Sequence, residues 1–219
     1  MVFRDPVSAL THLLTALWAA YATLVLIRIT PAQPHRKVAV AVYGLTMVLL
    51  FTASAMFHAT QDPSRVFQQI DQSAIYLLIA GTNTPILVCV LGQRGRWLLY
   101  LLWGLAGIGV AAQWTMSAPP HFVIVALCLS LGWMGLLPVV HYYRALGWRA
   151  LNWVWAACLA YSLGGLIEFL NWPLITYSPV RIGSHEVFHV FVIVGSLLFF
   201  AFIARHVVRH RSPIAPVSA

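Results

Sequence analysis

Seven long apolar runs follow one another along the chain, near residues 8–29, 38–58, 71–91, 97–115, 121–142, 151–170 and 185–206. Each approaches the roughly 20 apolar residues that a helix needs to cross a hydrocarbon core about 30 Å thick. A segment in lipid must pair its own backbone N–H and C=O groups, so helix is the expected conformation of every run. The breaks carry turn and charge signals: Pro31 and Pro34 with Arg36 and Lys37, then Asp62 and Pro63, Gly92 to Arg96, Pro119 and Pro120, Arg144 to Arg149, and Pro173 to Gly183. The uncharged break at 117–120 is the weakest, and the count of seven depends on it. The pattern predicts an all-α polytopic membrane protein with seven transmembrane helices in a single domain over 1–219. Its polar end, 205–219, is expected to be short and loosely ordered. Residues 1–7 include Asp5 and Pro6 and lack the basic lead of a cleavable signal, so the first helix is expected to stay in the protein.

Composition agrees with this pattern: 61% of residues are hydrophobic, 8% are charged, and the mean hydropathy is +0.83. The net charge of +8 raises the question of nucleic acid. The basic residues are spread over short loops and helix ends, with no basic face interleaved with aromatics, so they read as membrane-orientation charges and no nucleic-acid partner is expected. Nine Trp, eight Tyr and eleven Phe suit interfacial belts, with Trp97, Trp148, Trp153 and Trp172 near helix ends. Cys89, Cys128 and Cys158 fall inside spans without metal or redox spacing and read as small packing residues.

Ionisable residues inside apolar runs are costly, and here they coincide in depth. Counting spans by parity puts the N-terminus and the breaks near 59–70, 116–120 and 171–184 on one side. His58 ends the second helix, Asp71 is expected to open the third, and His185 and His189 open the seventh, all on that side. His12 and Glu168 come to the same end. His185 and His189 are four residues apart and share a helix face, as do Ser54 and His58. Three imidazoles with an open fourth position suit zinc better than calcium or magnesium, so zinc is the expected cofactor, ahead of iron or copper. The bland alternative is a hydrogen-bonded network that only joins helices. Glu168 is expected to pair with a positive group or a loop backbone instead of facing the metal cavity. His141, His206 and His210 belong to the opposite side, and His35 and His121 are expected in loops. The stretch His185-Glu186-Val187-Phe188-His189 matches the helical zinc-protease signature. With unbroken apolar sequence after it, a soluble protease is not the favoured reading, and Glu186 remains a candidate local acid or base.

At these residues the chain resembles the hemolysin III family, within the superfamily of progestin and adipoQ receptors and alkaline ceramidases. The likeness runs nearly end to end. It is strongest at Ser54-Ala55-Met56-Phe57-His58, at Asp71-Gln72-Ser73-Ala74-Ile75-Tyr76 with Ala80-Gly81-Thr82-Asn83-Thr84-Pro85, and at His185-Glu186-Val187-Phe188-His189. The resemblance implies seven helices around a zinc held by His58, His185 and His189, with Asp71 holding or activating water on the metal and Ser54 beside it. The family's N-terminal acid, Asn and His face Asp5, Ser8 and His12 here. A further histidine common after the last pair is replaced by Leu198, Phe199 and Phe200.

The ceramidase and receptor relatives imply hydrolysis of a lipid amide held among the helices, so membrane lipids are the expected partners and a lipid the expected substrate or ligand. Independently, zinc polarises a carbonyl, Asp71 can take a proton and Ser54 can steady an oxyanion. The leading expectation is a zinc-dependent hydrolase of a lipid amide or ester. The alternatives are a receptor-like or regulatory protein with a structural zinc and, with little support from the polar pattern, a lytic or pore-forming protein. Three basic residues, Arg4, Arg65 and Arg181, lie on the site side against ten on the other. The positive-inside rule then puts the C-terminus in the cytoplasm, whereas the adiponectin-receptor relatives suggest the reverse.

Overall fold

The computed structural model describes residues 4–61, 64–116, 121–171, 175–177 and 180–210. Its helices, in chain order, are α1 Pro6–Ile29, α2 Pro34–Ala59, α3 Arg65–Ile86, α4 Arg96–Thr115, α5 His121–Met134, α6 Val139–Leu146, α7 Trp148–Phe169 and α8 Ser184–Phe202. A short antiparallel hairpin, β1 Ile175–Tyr177 with β2 Val180–Ile182, is the one extended element among the described residues, with Thr176 opposite Arg181. Five helical stretches are long and apolar enough to cross a membrane, and the bent pair α5–α6 makes a sixth. The longest, Arg65–Thr115, has 51 residues. Laid straight it would reach about 75 Å, so it must double back, and α3 packs beside α4. Counted as two, it gives seven crossings, the number the hydropathy predicts.

The elements begin and bend where the chain's chemistry requires it. Pro6 and Pro34 occupy the first turns of α1 and α2, where a missing N–H costs nothing. Inside α3, Pro85 removes a ladder donor, and the chain answers with a π-helical turn over Leu87–Leu91. Gly92, at φ 56°, then reverses it toward α4. The 121–142 run is not one helix. It stops at Met134, passes Gly135 and Pro138, and resumes as α6 at a bend of 46°. Span-length hydropathy reads through this break because the residues between are themselves apolar.

Helix approach is set by small residues, as expected where lipid offers no hydrophobic drive between apolar faces. Ala19 and Ala22 of α1 are buried, and a Cβ at Gly44 of α2 would stand 2.3 Å from the Thr23 side chain. Tyr43, Met47, Phe51, Phe202 and Ile203 fill the centre.

Several boundaries differ from expectation. α3 starts at Arg65, so Asp71 sits in its second turn instead of opening it. His35 and His121 lie in the first turns of α2 and α5, not in loops. The 205–219 stretch is not loose from its start. Helical structure continues through a π-helical turn over Ile203–Val207, and Val207 and Val208 are fully buried. Asp62 and Pro63, the 117–120 break, Trp172 and Pro173, and 211–219 lie outside the described residues. Trp97 and Trp148 are exposed near helix ends, as a belt requires, while Trp153 stacks under Arg205, 4.9 Å from the ring centre.

Candidate metal centre

The last turn of α2 and the first two turns of α8 meet at the end of the bundle that also holds the start of α1. This brings together three histidines separated by as many as 131 positions, His58, His185 and His189, whose ligand atoms all lie within 4.8 Å of one another. His185 Nε2 is 3.4 Å from His58 Nε2 and 3.0 Å from His189 Nε2. The sequence-predicted trio therefore converges, and it can hold a metal ion.

The outer nitrogens support that orientation. His58 Nδ1 stands 3.0 Å from Asp5 Oδ2, and His185 Nδ1 stands 3.0 Å from Glu168 Oε1. A carboxylate only accepts, so both Nδ1 atoms carry the proton and donate. His58 and His185 then present bare Nε2 lone pairs to each other at 3.4 Å, an arrangement that repels unless a cation lies between. Two nitrogens each bound at about 2.0–2.1 Å to one tetrahedral ion stand about 3.3 Å apart, close to what is seen here. A carboxylate behind a ligating imidazole fixes its tautomer and raises its basicity. Donor type, spacing and support all fit a zinc-like ion.

Asp5 is held firmly. Its N–H donates to the His58 carbonyl oxygen at 3.1 Å, and Arg4 Nε donates to its carboxylate at 2.9 Å. The Arg4 guanidinium also lies 4.4 Å from the Phe57 ring centre. Partial burial alone would raise the Asp5 pKa, but the hydrogen bonds from His58 and Arg4 prevail and hold it below the usual carboxylate range. The segment before α1 is thus a clasp on the end of α2.

Behind the histidines a cavity of about 370 Å³ runs into the bundle, a size typical of small-ligand sites. His12, Ser54, Asp71, His185 and His189 line its site end. Leu50, Ile75, Ile79, Leu129 and Val192 make its walls apolar further in. Asp71 is half-buried on the cavity wall. Ser54 Oγ is buried beside the Asp71 carboxyl without closing a hydrogen bond of ordinary geometry. His12 is also buried, edge-on to His189 with ring centres 4.2 Å apart, and among the described residues neither of its nitrogens has a hydrogen-bond partner.

Two further acids are placed by the structure. Glu168 supports His185 and lines the cavity. Glu186 Oε2 accepts from the Gly183 N–H at 2.7 Å, so it caps the first turn of α8. Sequence reasoning missed Asp5 and Glu168 as histidine partners. The available signals were the acid at the start of the N-terminal motif and the lone acid of the sixth span.

Comparison with known proteins shows which family the sequence matches. The profile of the haemolysin-III related family matches residues 2–200. Hemolysin-3 of Bacillus cereus is 31% identical over 208 residues, covering 91% of this chain and 90% of that one. A hemolysin-3 homolog of Bacillus subtilis is 30% identical over 168 residues, 74% of each chain. The adiponectin receptor protein of Drosophila melanogaster is 25% identical over 189 residues, covering 77% of this chain and 42% of its own length.

Proposed function

The chain belongs to the haemolysin-III related family, and from that membership and the geometry above we propose that it is a zinc-dependent membrane hydrolase acting on a lipid amide or ester. One observation carries the reading: His185 and His189 of the histidine cluster line one end of a cavity whose site end is polar and whose walls are mostly apolar. A lipid has that same division, with an acyl chain for the walls and a carbonyl for the polar end.

His58, His185 and His189 would be the ligands, and imidazole donors suit zinc. Bound there, zinc supplies a Lewis acid that polarises a carbonyl and lowers the pKa of water to about 7. Asp71 faces the same space and is the candidate general base. Ser54, with its hydroxyl uncommitted, is the candidate donor to an oxyanion. Asp5 and Glu168 orient the imidazoles from behind.

A second reading has specific support. The cluster and its carboxylates join α1, α2, α7 and α8, so a zinc there would also tie the bundle together in a receptor-like protein. Asp71→Asn separates the two, since it alters no ligand. In the catalytic reading, protein with one zinc per chain hydrolyses ceramides, other acyl amides or phospholipids, and Asp71→Asn loses about 10²- to 10⁴-fold in rate while keeping zinc and fold. Absence of turnover on all three lipid classes by zinc-loaded protein would leave the structural role.

The ten-to-three excess of basic residues on the far side supports a cytoplasmic C-terminus and a site toward the exterior. A cysteine added to the C-terminal tail should resist an impermeant thiol reagent in intact cells, and labelling would reverse the orientation.

A further inference from the structure

The main cavity ends at a thin layer of four residues, Asn83, Gly132, Cys158 and Phe199. Beyond it lies a second cavity of about 20 Å³ that touches the same four. The second cavity is lined in addition by Ile86 on α3, Val154 on α7 and Phe202 on α8. Relative to Asn83, Cys158 and Phe199 these are displaced by three, four and three residues. On every helix that is about one turn and runs away from the histidines. The two spaces therefore lie end to end along the bundle axis, with the four residues as the partition.

That partition is built to stay in place. The Phe199 ring lies 6.2 Å, centre to centre, from Tyr161, whose hydroxyl is 2.9 Å from Ser196 Oγ. Asn83 Nδ2 donates to the Ile79 carbonyl oxygen at 2.9 Å. The Asn83 Oδ1 atom sits 2.2 Å from where a Gly135 Cβ would stand, so only glycine fits there without displacing it. Ten residues of α8 separate His189 from Phe199 and twelve of α3 separate Asp71 from Asn83, or about 15 and 18 Å of helix rise.

We infer that Phe199, seated with Asn83, Gly132 and Cys158, is the floor that sets the longest acyl chain this protein accepts when the carbonyl end is at the histidine cluster. The inference rests on the lipid reading above and adds a length limit to it. An apolar tube closed at one depth admits chains up to that depth, and a longer chain must pull its carbonyl away from the polar end. Removing the ring joins the two spaces and extends the tube by about one helical turn, 5.4 Å. Filling the layer shortens it. A Cβ at Gly132 meets nothing within 4 Å, so that position has room for a side chain.

The test reads binding, not turnover. Purified wild type, Phe199→Ala, Phe199→Trp and Gly132→Leu are incubated with an equal mixture of N-acyl ethanolamides graded in chain length, washed, and the retained lipids weighed by mass spectrometry. Wild type should show a sharp upper limit. Phe199→Ala should move that limit to longer chains by roughly four methylenes, the length of one helical turn, and Phe199→Trp and Gly132→Leu should move it to shorter ones. Leu197→Ala, on an exposed position of α8, should leave it unchanged. Retention with the same length profile in wild type and every folded floor variant overturns the floor and leaves the lipid reading standing. No acyl chain retained by wild type overturns both.

Discussion

The two ends of the helix bundle use buried polar groups differently. At the far end Arg36, at the start of α2, is 5% exposed and points its guanidinium at the end of the last helix. It donates to the carbonyl oxygens of Val207, Val208 and His210 at 3.1, 3.3 and 2.6 Å. Those carbonyls lie at the end of a helix, where few intrahelical donors remain; Val207 O also accepts from the His210 N–H at 3.2 Å, and the cation complements the negative end of the helix dipole. Burial and the neighbouring Arg36 both lower the His210 pKa, which favours the neutral ring beside that charge. At the site end four of the chain's five acidic residues gather with four histidines, and the polar atoms facing inward are left open. His12 Nδ1 and Nε2, His189 Nδ1 and Ser54 Oγ are all buried without a hydrogen-bond partner among the described residues. A buried polar group left unpaired costs about 1–3 kcal/mol. The far end is capped mainly by one cation, although Arg36 Nε and Tyr142 OH stay unpaired there among the described residues, while the site end turns its imidazoles toward a component the chain does not itself supply.

The largest expected effect tests whether that missing component is a metal. Purified wild type should carry one zinc per chain, and His189→Ala should carry none after dialysis, as measured by elemental analysis. Retention of zinc by His189→Ala, His58→Ala and His185→Ala alike would dissolve the contrast between the ends. Next in size is the far end itself. Arg36→Met removes three charge-assisted hydrogen bonds and should lower stability in detergent by about 3 kcal/mol, with zinc content unchanged. A variant that loses zinc with little change in unfolding would show that the two ends are not independent.

Smaller effects sharpen the roles of the supporting acids. Glu168→Gln should weaken zinc about 10- to 100-fold in competition with a chelator, because the amide no longer fixes the His185 tautomer. Asp5→Asn should do less, since the Asp5 side chain is 32% exposed against 11% for Glu168 and water can replace it. Equal or reversed losses would mean that the clasp before α1 holds the centre more tightly than the acid on α7.

Much of this was legible along the chain because the controlling forces are local or compositional. Seven spans follow from the length of apolar runs, and the candidacy of His58, His185 and His189 follows from the cost of placing imidazoles in such runs. Span parity is enough to bring them to one end. The Asp5 and Glu168 partnerships were not legible. Neither acid has a helical spacing to the histidine it supports, and 53 and 17 residues separate the pairs. The break between α5 and α6 was present in Pro138 but hidden by a hydropathy that does not register a missing N–H. Arg36 reads in sequence as one more orientation charge, and only its burial reveals a cap.

The sequence alone therefore determined what must be inside lipid, how often the chain crosses, and which side chains need partners there. These are transfer and hydrogen-bonding costs that each residue carries wherever it goes. Tertiary structure decided which partners they find: which nitrogen of each imidazole turns inward, which acid stands behind it, and how deep the cavity runs before Phe199. Those outcomes depend on distances between helices, which are set by many small packing contacts at once and are written in no single stretch of the chain.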